Sequence, residues 1–200
     1  MDSAVLKERY EMLCAEPSDI NEHLPTFVQA VEELNATKVI EIGVRYGLST
    51  IAWMYALQDR GQLWAVDCSY PIPSGVGVLG DVNLLDPQGP LGVVPHWMFL
   101  LGYDTSQQVL DALPGKVDIL FLDTNHVYEE TLVELDLYLP RVRSGGRIYL
   151  HDTAIEFTGN ASTPQPLFPV RTAVEEFCAE RDLRWDNKTN CSGLGTIYVP

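Results

Sequence analysis

Four side chains that could do chemistry stand in two short segments of the sequence. Asp123 and His126 belong to the segment Asp123-Thr-Asn-His126, and His151-Asp152 form the second. Each segment ends a mostly apolar run that is typical of a buried strand. Neighbouring strands of a sheet lie about 4.8 Å apart. If these two strands are parallel neighbours, the carboxylates of Asp123 and Asp152 converge at one edge of the sheet.

The residue types in these segments suggest metal binding and proton transfer. Two close carboxylates repel each other unless a proton or a cation lies between them, and carboxylates with water molecules are the ligands that Mg²⁺ prefers. Asp123 and Asp152 are therefore candidate metal ligands. His126 is a candidate catalytic base because imidazole can remove a proton from a hydroxyl near neutral pH. The alternative is structural, with each Asp capping a turn and His126 bonded to a helix start.

A second group of candidates lies in the segment Glu41-Ile-Gly43-Val-Arg-Tyr-Gly47. Gly43 allows a tight turn, and Gly47 allows a ligand or the next helix to come close. Asp67 ends the following strand about 20 residues later, where an acid can accept hydrogen bonds from ribose hydroxyls. The two features together predict a nucleoside site. Ser49 stands where a dinucleotide loop would carry a third glycine, so the spacing disfavours a dinucleotide.

The elements that position these residues follow from the hydrophobic periodicity. Strands are predicted at 38–42, 63–67, 97–101, 117–123, 147–152, around Trp185 and at 196–199. Helices are predicted at 3–15, after a cap at Asp19, and at 49–60, 106–113, 128–139 and 170–181. This order predicts a Rossmann-like α/β three-layer sandwich, with a mostly parallel seven-stranded sheet and an antiparallel pair at its edge. We expect one domain over 1–200, with helices in 1–36 and a long loop at 69–95.

The composition limits the classes of partner that the protein is expected to bind. The chain has 13 basic and 28 acidic residues and a formal net charge of −15, which repels phosphate backbones and argues against nucleic acid. Charged residues interrupt the first residues of the chain, and no apolar run reaches the length of a membrane span. We therefore expect a cytoplasmic protein with no membrane partner and with reduced thiols at its four cysteines. The oligomeric state is left open, a homo-oligomer included.

The glycine segment and Asp67 resemble the first two motifs of class I S-adenosylmethionine-dependent methyltransferases. The resemblance runs over Val39–Thr50 and at Asp67, and it implies S-adenosylmethionine as the cofactor. It implies cofactor contacts from Glu41, Gly43, Arg45, Gly47, Ser49, Asp67, Ser106, Gln107 and Asp123. The glycine loop would surround the methionine part, Asp67 would bind the ribose, and the turn 104–107 would lie near the adenine.

The segments that contain Asp123 and Asp152 make this resemblance more specific. Asp-x-x-His-x-Tyr at 123–128, Ser144-Gly-Gly146 and His151-Asp152 look like metal-dependent O-methyltransferases of sugars and polyketides, and like relatives labelled cephalosporin hydroxylase. The resemblance implies Asp123 and Asp152 as ligands of Mg²⁺ and His126 as the base. Those relatives usually carry an acid in place of His151. Because imidazole suits Mn²⁺ and softer ions better than Mg²⁺, His151 binds such an ion, contacts substrate or does not ligate.

These features together predict an O-methyltransferase that acts on a hydroxyl of a small molecule, a sugar or a natural product. The loops 69–95 and 158–169 would shape the acceptor pocket, with Tyr103 and Phe157 as walls. His23 could reach the site, although a surface or core role is the expectation. Two alternatives are a nicotinamide-dependent oxidoreductase on a similar sheet and a non-catalytic protein that binds S-adenosylmethionine.

Overall fold

The computed structural model describes residues 3–69, 96–158 and 163–200. Within these ranges the helices are α1 Ser3–Ala15, α2 Leu24–Leu34, α3 Leu48–Leu57, α4 Gln107–Ala112, α5 Tyr128–Tyr138 and α6 Pro169–Arg181. The strands are β1 Lys38–Ile42, β2 Gln62–Asp67, β3 Trp97–Leu101, β4 Val117–Leu122, β5 Val142–His151, β6 Arg184–Lys188 and β7 Leu194–Tyr198. Short 3₁₀ turns occupy Asn21–His23 and Leu139–Arg141.

The strands form one seven-stranded sheet in the order β3-β2-β1-β4-β5-β7-β6. Strands β1 to β5 are parallel, and β7 is antiparallel to both β5 and β6. The predicted fold class, with an antiparallel pair at the edge, is thereby confirmed. The reversed strand is β7, which lies second from the edge. The strand order changes direction between β1 and β4, and ligands of such sheets bind beyond the carboxyl ends of the strands at that point.

Two apolar cores cover the two faces of the sheet. Residues of β4 alternate between them, so that Ile119 and Phe121 pack with α1, α2 and α3, while Leu120 and Leu122 pack with α4, α5 and α6. The first core contains an aromatic group in which the Phe27 and Trp53 rings stack with centroids 4.4 Å apart. This alternation is the period-two pattern of a strand buried on both faces, and it fixes which strand ends reach the carboxyl edge.

Two predicted element boundaries are wrong. Strand β5 begins at Val142, which pairs with Val117 of β4. The register then shifts over the predicted Ser144-Gly-Gly146 turn, and pairing with β4 resumes where Arg147 lies opposite Ile119. The N-cap of α2 is His23, which makes no side-chain cap hydrogen bond. Upstream, Ser18 Oγ accepts from the N–H groups of Ile20 at 3.3 Å and Asn21 at 2.9 Å. A 3₁₀ turn precedes α2, so the predicted cap Asp19 faces Arg45 instead.

Other expectations concern the loops and the surroundings. Most of the predicted loop 69–95 and the centre of the loop 158–169 lie outside the described residues. In the described ranges no helix has both the length and the apolar character that a membrane crossing requires. The four cysteines are free, in keeping with the predicted thiols.

Candidate active site

A cavity of about 460 Å³ lies at the carboxyl edge of the sheet. Its described wall consists of the segments that follow four neighbouring strands, together with the first turns of α5. These are Gly43 and Arg45 after β1, Asp67–Ser69 after β2, Gly102–Asp104 after β3, Asp123–His126 after β4, and Glu130 and Glu134 of α5. The cavity therefore occupies the position at which a doubly wound sheet binds its ligands.

Two carboxylates and two imidazoles meet at the ends of β4 and β5. His126 Nε2 lies 3.0 Å from Asp123 Oδ1 and 3.1 Å from Asp152 Oδ2. His151 Nδ1 lies 3.4 Å from Asp123 Oδ1 and 3.2 Å from Asp152 Oδ1. The predicted convergence of Asp123 and Asp152 is thus present in the structure, and each imidazole bridges both carboxylates.

The second nitrogen of His151 is bound on the protein side. His151 is 2% exposed, and its Nε2 lies 2.9 Å from the carbonyl oxygen of Asp19. Because a carbonyl only accepts hydrogen bonds, Nε2 carries a proton, and Nδ1 is the atom that faces the carboxylates. The segment before α2 therefore fixes the orientation of this ring beneath the cluster.

The pKa values in the cluster reflect mutual stabilisation. Burial opposes the charge of His151, but the hydrogen bond and charge of Asp123, with Asp152, raise its pKa to about 9. Burial likewise opposes the charge of His126, yet the same two acids raise its pKa. Burial acts against ionisation of Asp123, and the hydrogen bonds from the two imidazoles lower the pKa of this carboxyl well below its usual range. Burial raises the pKa of Asp152.

The cluster has the donor set for a divalent cation. One ligand atom each of Asp123, His126 and Asp152 lies within 4.8 Å of the other two. Donors about 3 Å apart suit neighbouring ligands of an ion bound at about 2.1 Å. Among the described residues, this group contains His126 and not His151, which departs from the predicted ligand set. The reason is position, since His126 lines the cavity whereas His151 lies on the buried side of the carboxylates.

The backbone is strained at two cluster residues. His126 has φ 60° and Asp152 has φ 59°, which is the left-handed region that residues other than glycine seldom adopt. Such a conformation costs on the order of 1 kcal/mol or more and persists where the surroundings enforce it. These backbone conformations follow the ends of β4 and β5, and with them the His126 and Asp152 side chains come into contact.

The structure gives a further reason why residue 43 is a glycine. Its φ is 88°, and a Cβ on this residue would lie 1.8 Å from the carbonyl oxygen of Asp123. The N–H of Asp123 in turn donates to the carbonyl of Ile42 at 2.8 Å. The glycine therefore lets the end of β4 approach the end of β1, which brings Asp123 to the cavity.

Three of the predicted cofactor residues do not line the cavity. Glu41 is fully buried and accepts hydrogen bonds from the hydroxyls of Ser49 at 2.5 Å and Thr50 at 2.6 Å. Burial raises the pKa of Glu41 to about 8. Gly47 is the residue before α3 and has φ 75°. Glu41, Gly47 and Ser49 thus join β1 to α3 under the loop.

Asp67 lines the cavity and holds the loop that follows β1. Its Oδ2 accepts from the N–H groups of Val44 at 2.9 Å and Arg45 at 3.0 Å. Its Oδ1 accepts from the N–H and the hydroxyl of Ser69 at 2.8 and 3.0 Å. The carboxylate's four acceptor positions are therefore engaged by donors of the chain itself. Burial raises and these hydrogen bonds lower its pKa, with a net lowering.

With this geometry in hand, comparison with known proteins identifies the family. Residues 40–153 match the family described as "Methyltransferase domain". The chain belongs to this methyltransferase family. The match covers more than half of the chain and confirms the expectation of a class I, S-adenosylmethionine-dependent methyltransferase. It also decides against the nicotinamide-dependent oxidoreductase.

Solved structures show the same fold as this methyltransferase. The O-methyltransferase from Bacillus cereus in complex with SAH has 17% sequence identity and a TM-score of 0.68, covering 98% of this chain and 90% of that one. The O-methyltransferase TomG from Streptomyces achromogenes, involved in tomaymycin synthesis and in complex with SAM, has 16% identity and a TM-score of 0.66, covering 100% and 90%. SAH-bound Podospora anserina methyltransferase PaMTH1 has 15% identity and a TM-score of 0.61, covering 100% and 88%.

A shorter match connects the methyltransferase to a curated protein. The uncharacterized protein R132 from Acanthamoeba polyphaga mimivirus is 41% identical over 44 residues. These residues are 22% of this chain and 20% of that protein, so this chain matches about a fifth of its length.

The far end of the methyltransferase cavity differs from the prediction. Ser106 caps α4, its Oγ accepting from the N–H of Val109 at 3.4 Å, and the exposed Gln107 donates to Asp111 at 2.7 Å. Neither lines the cavity, because α4 begins there and both residues serve its first turn. Asp104 lines it instead.

The remaining predicted positions divide between the cavity and the protein interior. Tyr103 lines the cavity and is 71% exposed, whereas Phe157 does not line it. His23 is fully buried, with Nε2 2.9 Å from the carbonyl oxygen of Asn190, which agrees with the expected core role. Arg45, in the loop after β1, lines the cavity, and its guanidinium forms an ion pair with Asp19 at 3.1 Å.

An acid of the cavity wall was not predicted from the sequence. Glu134 of α5 lines the cavity, is 4% exposed and accepts from the hydroxyl of Thr124 at 3.1 Å. A signal for it exists in the sequence. Thr131, Glu134, Leu135 and Tyr138 are the buried residues of α5, and their spacing of three and four residues places an acid on the buried stripe of the helix.

Proposed function

We propose that this methyltransferase transfers a methyl group from S-adenosylmethionine to a hydroxyl of a small molecule, a sugar or a natural product. The observation that carries the proposal is the position of His126, which lies between two carboxylates and lines the same cavity as Gly43, Arg45 and Asp67. The family membership supports methyl transfer. The O-methyltransferases of the same fold, which bind SAM or SAH, support the cofactor and the oxygen acceptor.

The cavity suits S-adenosylmethionine, which supplies a methyl group bound to positively charged sulfur. Its volume of about 460 Å³ lies in the usual range for ligand sites. The carboxylates of Asp67, Asp104 and Asp123 favour a cation there. Asp67 would bind the ribose hydroxyls after the Ser69 hydroxyl turns away, since its acceptor positions are otherwise engaged.

His126 is the proposed acceptor of the hydroxyl proton. Its Nε2 faces two carboxylates, which accept hydrogen bonds, so Nε2 carries a proton and Nδ1 is the atom that takes the hydroxyl proton. The carboxylates of Asp123 and Asp152 stabilise the resulting imidazolium. The hydroxyl oxygen then attacks the methyl carbon, and the O–C bond forms while the C–S bond breaks. The electron pair of the broken bond stays on sulfur, which leaves as a neutral thioether. His151, fixed by the Asp19 carbonyl, holds the two carboxylates in place from below.

Asp123, Asp152 and His126 are the residues that would hold a divalent cation, Mg²⁺ or Mn²⁺. Such an ion would neutralise the carboxylates and lower the pKa of a bound hydroxyl. If His126 ligates an ion through Nε2, its proton stands on Nδ1, and the ring cannot also accept the hydroxyl proton. A requirement for the cation would therefore assign His126 to the ligands, and activity in a chelator would assign it to the base role.

The test is methyl transfer measured by mass spectrometry with trideuteromethyl-labelled S-adenosylmethionine and a panel of sugars and phenols. The wild type is expected to label at least one hydroxyl compound. His126→Asn is expected to lose about 100-fold or more of this activity. His96→Asn, at the opposite end of β3, is the matched control and should retain activity. The assays are run with Mg²⁺, with Mn²⁺ and with EDTA.

Binding measurements separate the remaining alternative. Isothermal titration with S-adenosylhomocysteine should show binding to the wild type, and NAD should show none. Binding of S-adenosylhomocysteine without transfer to any acceptor, or equal activity of His126→Asn and wild type, would support the non-catalytic protein. Binding of NAD alone would overturn the proposal.

A further inference from the structure

The cavity has a second acidic end, away from the His126 cluster. Asp104 follows β3 and Glu134 comes from α5, and both line the cavity. The Tyr138 hydroxyl, one turn after Glu134 on the same helix, donates to the Asp104 carbonyl at 2.9 Å. Helix α5 and the segment after β3 are therefore tied together at this end, with the two carboxyl groups between them.

The two carboxyl groups differ in their hydrogen-bond partners, although burial raises the pKa of Asp104 as well as that of Glu134. Within the described residues, Asp104 Oδ2 is buried without a hydrogen-bond partner, which is costly unless a ligand supplies a donor. Glu134 Oε2 accepts from the Thr124 hydroxyl. Burial first, and then the charge of Asp104, raise the pKa of Glu134 to about 8. Glu134 is therefore a neutral acid near pH 7 that can donate, while Asp104 can accept.

The orientation of the cofactor follows from the proposed function. The methyl group must lie beside His126, because the proton acceptor and the acceptor hydroxyl are there. Asp67 lies between the two ends of the edge, at the carboxyl end of β2. The heterocyclic base of the nucleoside then occupies the end formed by Asp104 and Glu134.

We propose that Glu134 is a specificity-determining residue of this methyltransferase, which reads the adenine of the cofactor together with Asp104. The inference rests on the proposed function and adds a residue to it. Glu134 donates its carboxylic proton to ring nitrogen N1, and Asp104 accepts from the exocyclic amine. Hypoxanthine presents the reverse pattern, with a donor at N1 and a carbonyl acceptor beside it, so the same two groups reject it.

The test compares binding of S-adenosylhomocysteine and S-inosylhomocysteine by isothermal titration. The wild type is expected to prefer the adenosyl compound by about 30-fold or more, because mismatched groups are left unpaired in a buried site. Glu134→Gln keeps an N–H donor and should bind S-adenosylhomocysteine within about threefold of wild type. Glu134→Met has similar length without a donor, and should lose about tenfold in affinity for the adenosyl compound and most of the preference.

Asp136→Asn is the matched control, because Asp136 lies on the same helix and pairs with Arg181 at 2.6 Å. It should leave both affinities unchanged. Equal binding of the two compounds by the wild type overturns the inference without any variant. An unchanged preference in Glu134→Met also overturns it and assigns Glu134 to holding Thr124. No binding of either compound by the wild type would instead overturn the proposed function.

Discussion

The ends of β1 and β2 and the ends of β4 and β5 both carry buried or half-buried acids, but these acids have different hydrogen-bond partners. At β1 and β2, Glu41 is bonded to two hydroxyls, and Asp67 is bonded to four donors of neighbouring loops. At β4 and β5, Asp123 and Asp152 share two imidazoles across strained backbone. The first pair of ends is satisfied by the chain, and the second holds groups that can exchange protons.

This difference indicates that acids at one edge of the sheet have two different roles. Acids whose hydrogen bonds stay within the protein build the loop against which a ligand lies. Acids that face each other across movable protons have perturbed pKa values, and such groups are where chemistry is expected. We call the ends of β1 and β2 the structural half of this edge and the ends of β4 and β5 its chemical half. Variants in each half test this division.

The largest expected effect is that of Gly43→Ala, which would separate the two halves. The added methyl group would meet the Asp123 carbonyl at 1.8 Å on a backbone that disfavours side chains, and should lower the free energy of unfolding by about 3 kcal/mol or more. Urea unfolding measures this loss. Gly115→Ala is the control, since no heavy atom lies within 4 Å of its added Cβ. Equal urea midpoints for the two variants would refute the close approach.

Asp152→Asn tests the chemical half. It removes one of the two charges that stabilise a protonated His126, and should lower kcat by about 100-fold. The affinity for S-adenosylhomocysteine should change by less than about threefold, because Asp152 lies behind the cavity wall. Steady-state kinetics and titration measure the two quantities, with Asp186→Asn on the exposed edge strand as control. An unchanged kcat would place the chemistry elsewhere.

Glu41→Gln tests the structural half through pH. Burial raises the pKa of Glu41 from 4.5 to about 8, so the stability present below pH 4.5 is lost as the pH rises through about 8. Glutamine cannot ionise. Between pH 6.5 and pH 9, the stability of the variant relative to wild type should therefore rise by about 2 kcal/mol. The comparison isolates Glu41 from Glu134, which titrates in the same range. A constant difference across this range would contradict a neutral Glu41.

The smallest expected effect concerns Asp67, which lies where structural and ligand roles meet. Ser69→Ala removes one of the donors that engage Asp67 Oδ1. The freed acceptor position should raise the affinity for S-adenosylhomocysteine by about threefold, measured by titration against Ser144→Ala as control. A weaker affinity would mean that the Ser69 hydroxyl itself binds the ligand.

The sequence was sufficient for the fold and for the cluster of acids. The strands at 38–42 and 97–101 have the predicted bounds, because apolar runs flanked by turns are strong signals. Asp123 and Asp152 could be paired from sequence, since each directly follows a buried strand and parallel strands end at the same edge. The direction in which loops and helix starts point side chains was not predictable in this way.

The differences between the predicted contacts and the described cavity wall have physical reasons of this kind. Glu41 follows the alternation of β1 into the interior, where two hydroxyls of α3 bind it. Ser106 and Gln107 are used by the first turn of α4, so that Asp104 faces the cavity. Glu134 was missed because a single acid in an apolar stripe was not taken as a signal. His151 stays a predicted ligand, while the possible cation group of the described residues contains His126; which side of the carboxylates each ring occupies was not predictable from sequence.

The most direct test of the account is a crystal structure of the complex with S-adenosylhomocysteine. The account predicts the ligand in the cavity at the carboxyl edge, with its sulfur toward His126, its ribose at Asp67 and its base between Asp104 and Glu134. A ligand bound outside this cavity, or with its base at the His126 cluster, would contradict the division of the sheet edge into a structural and a chemical half.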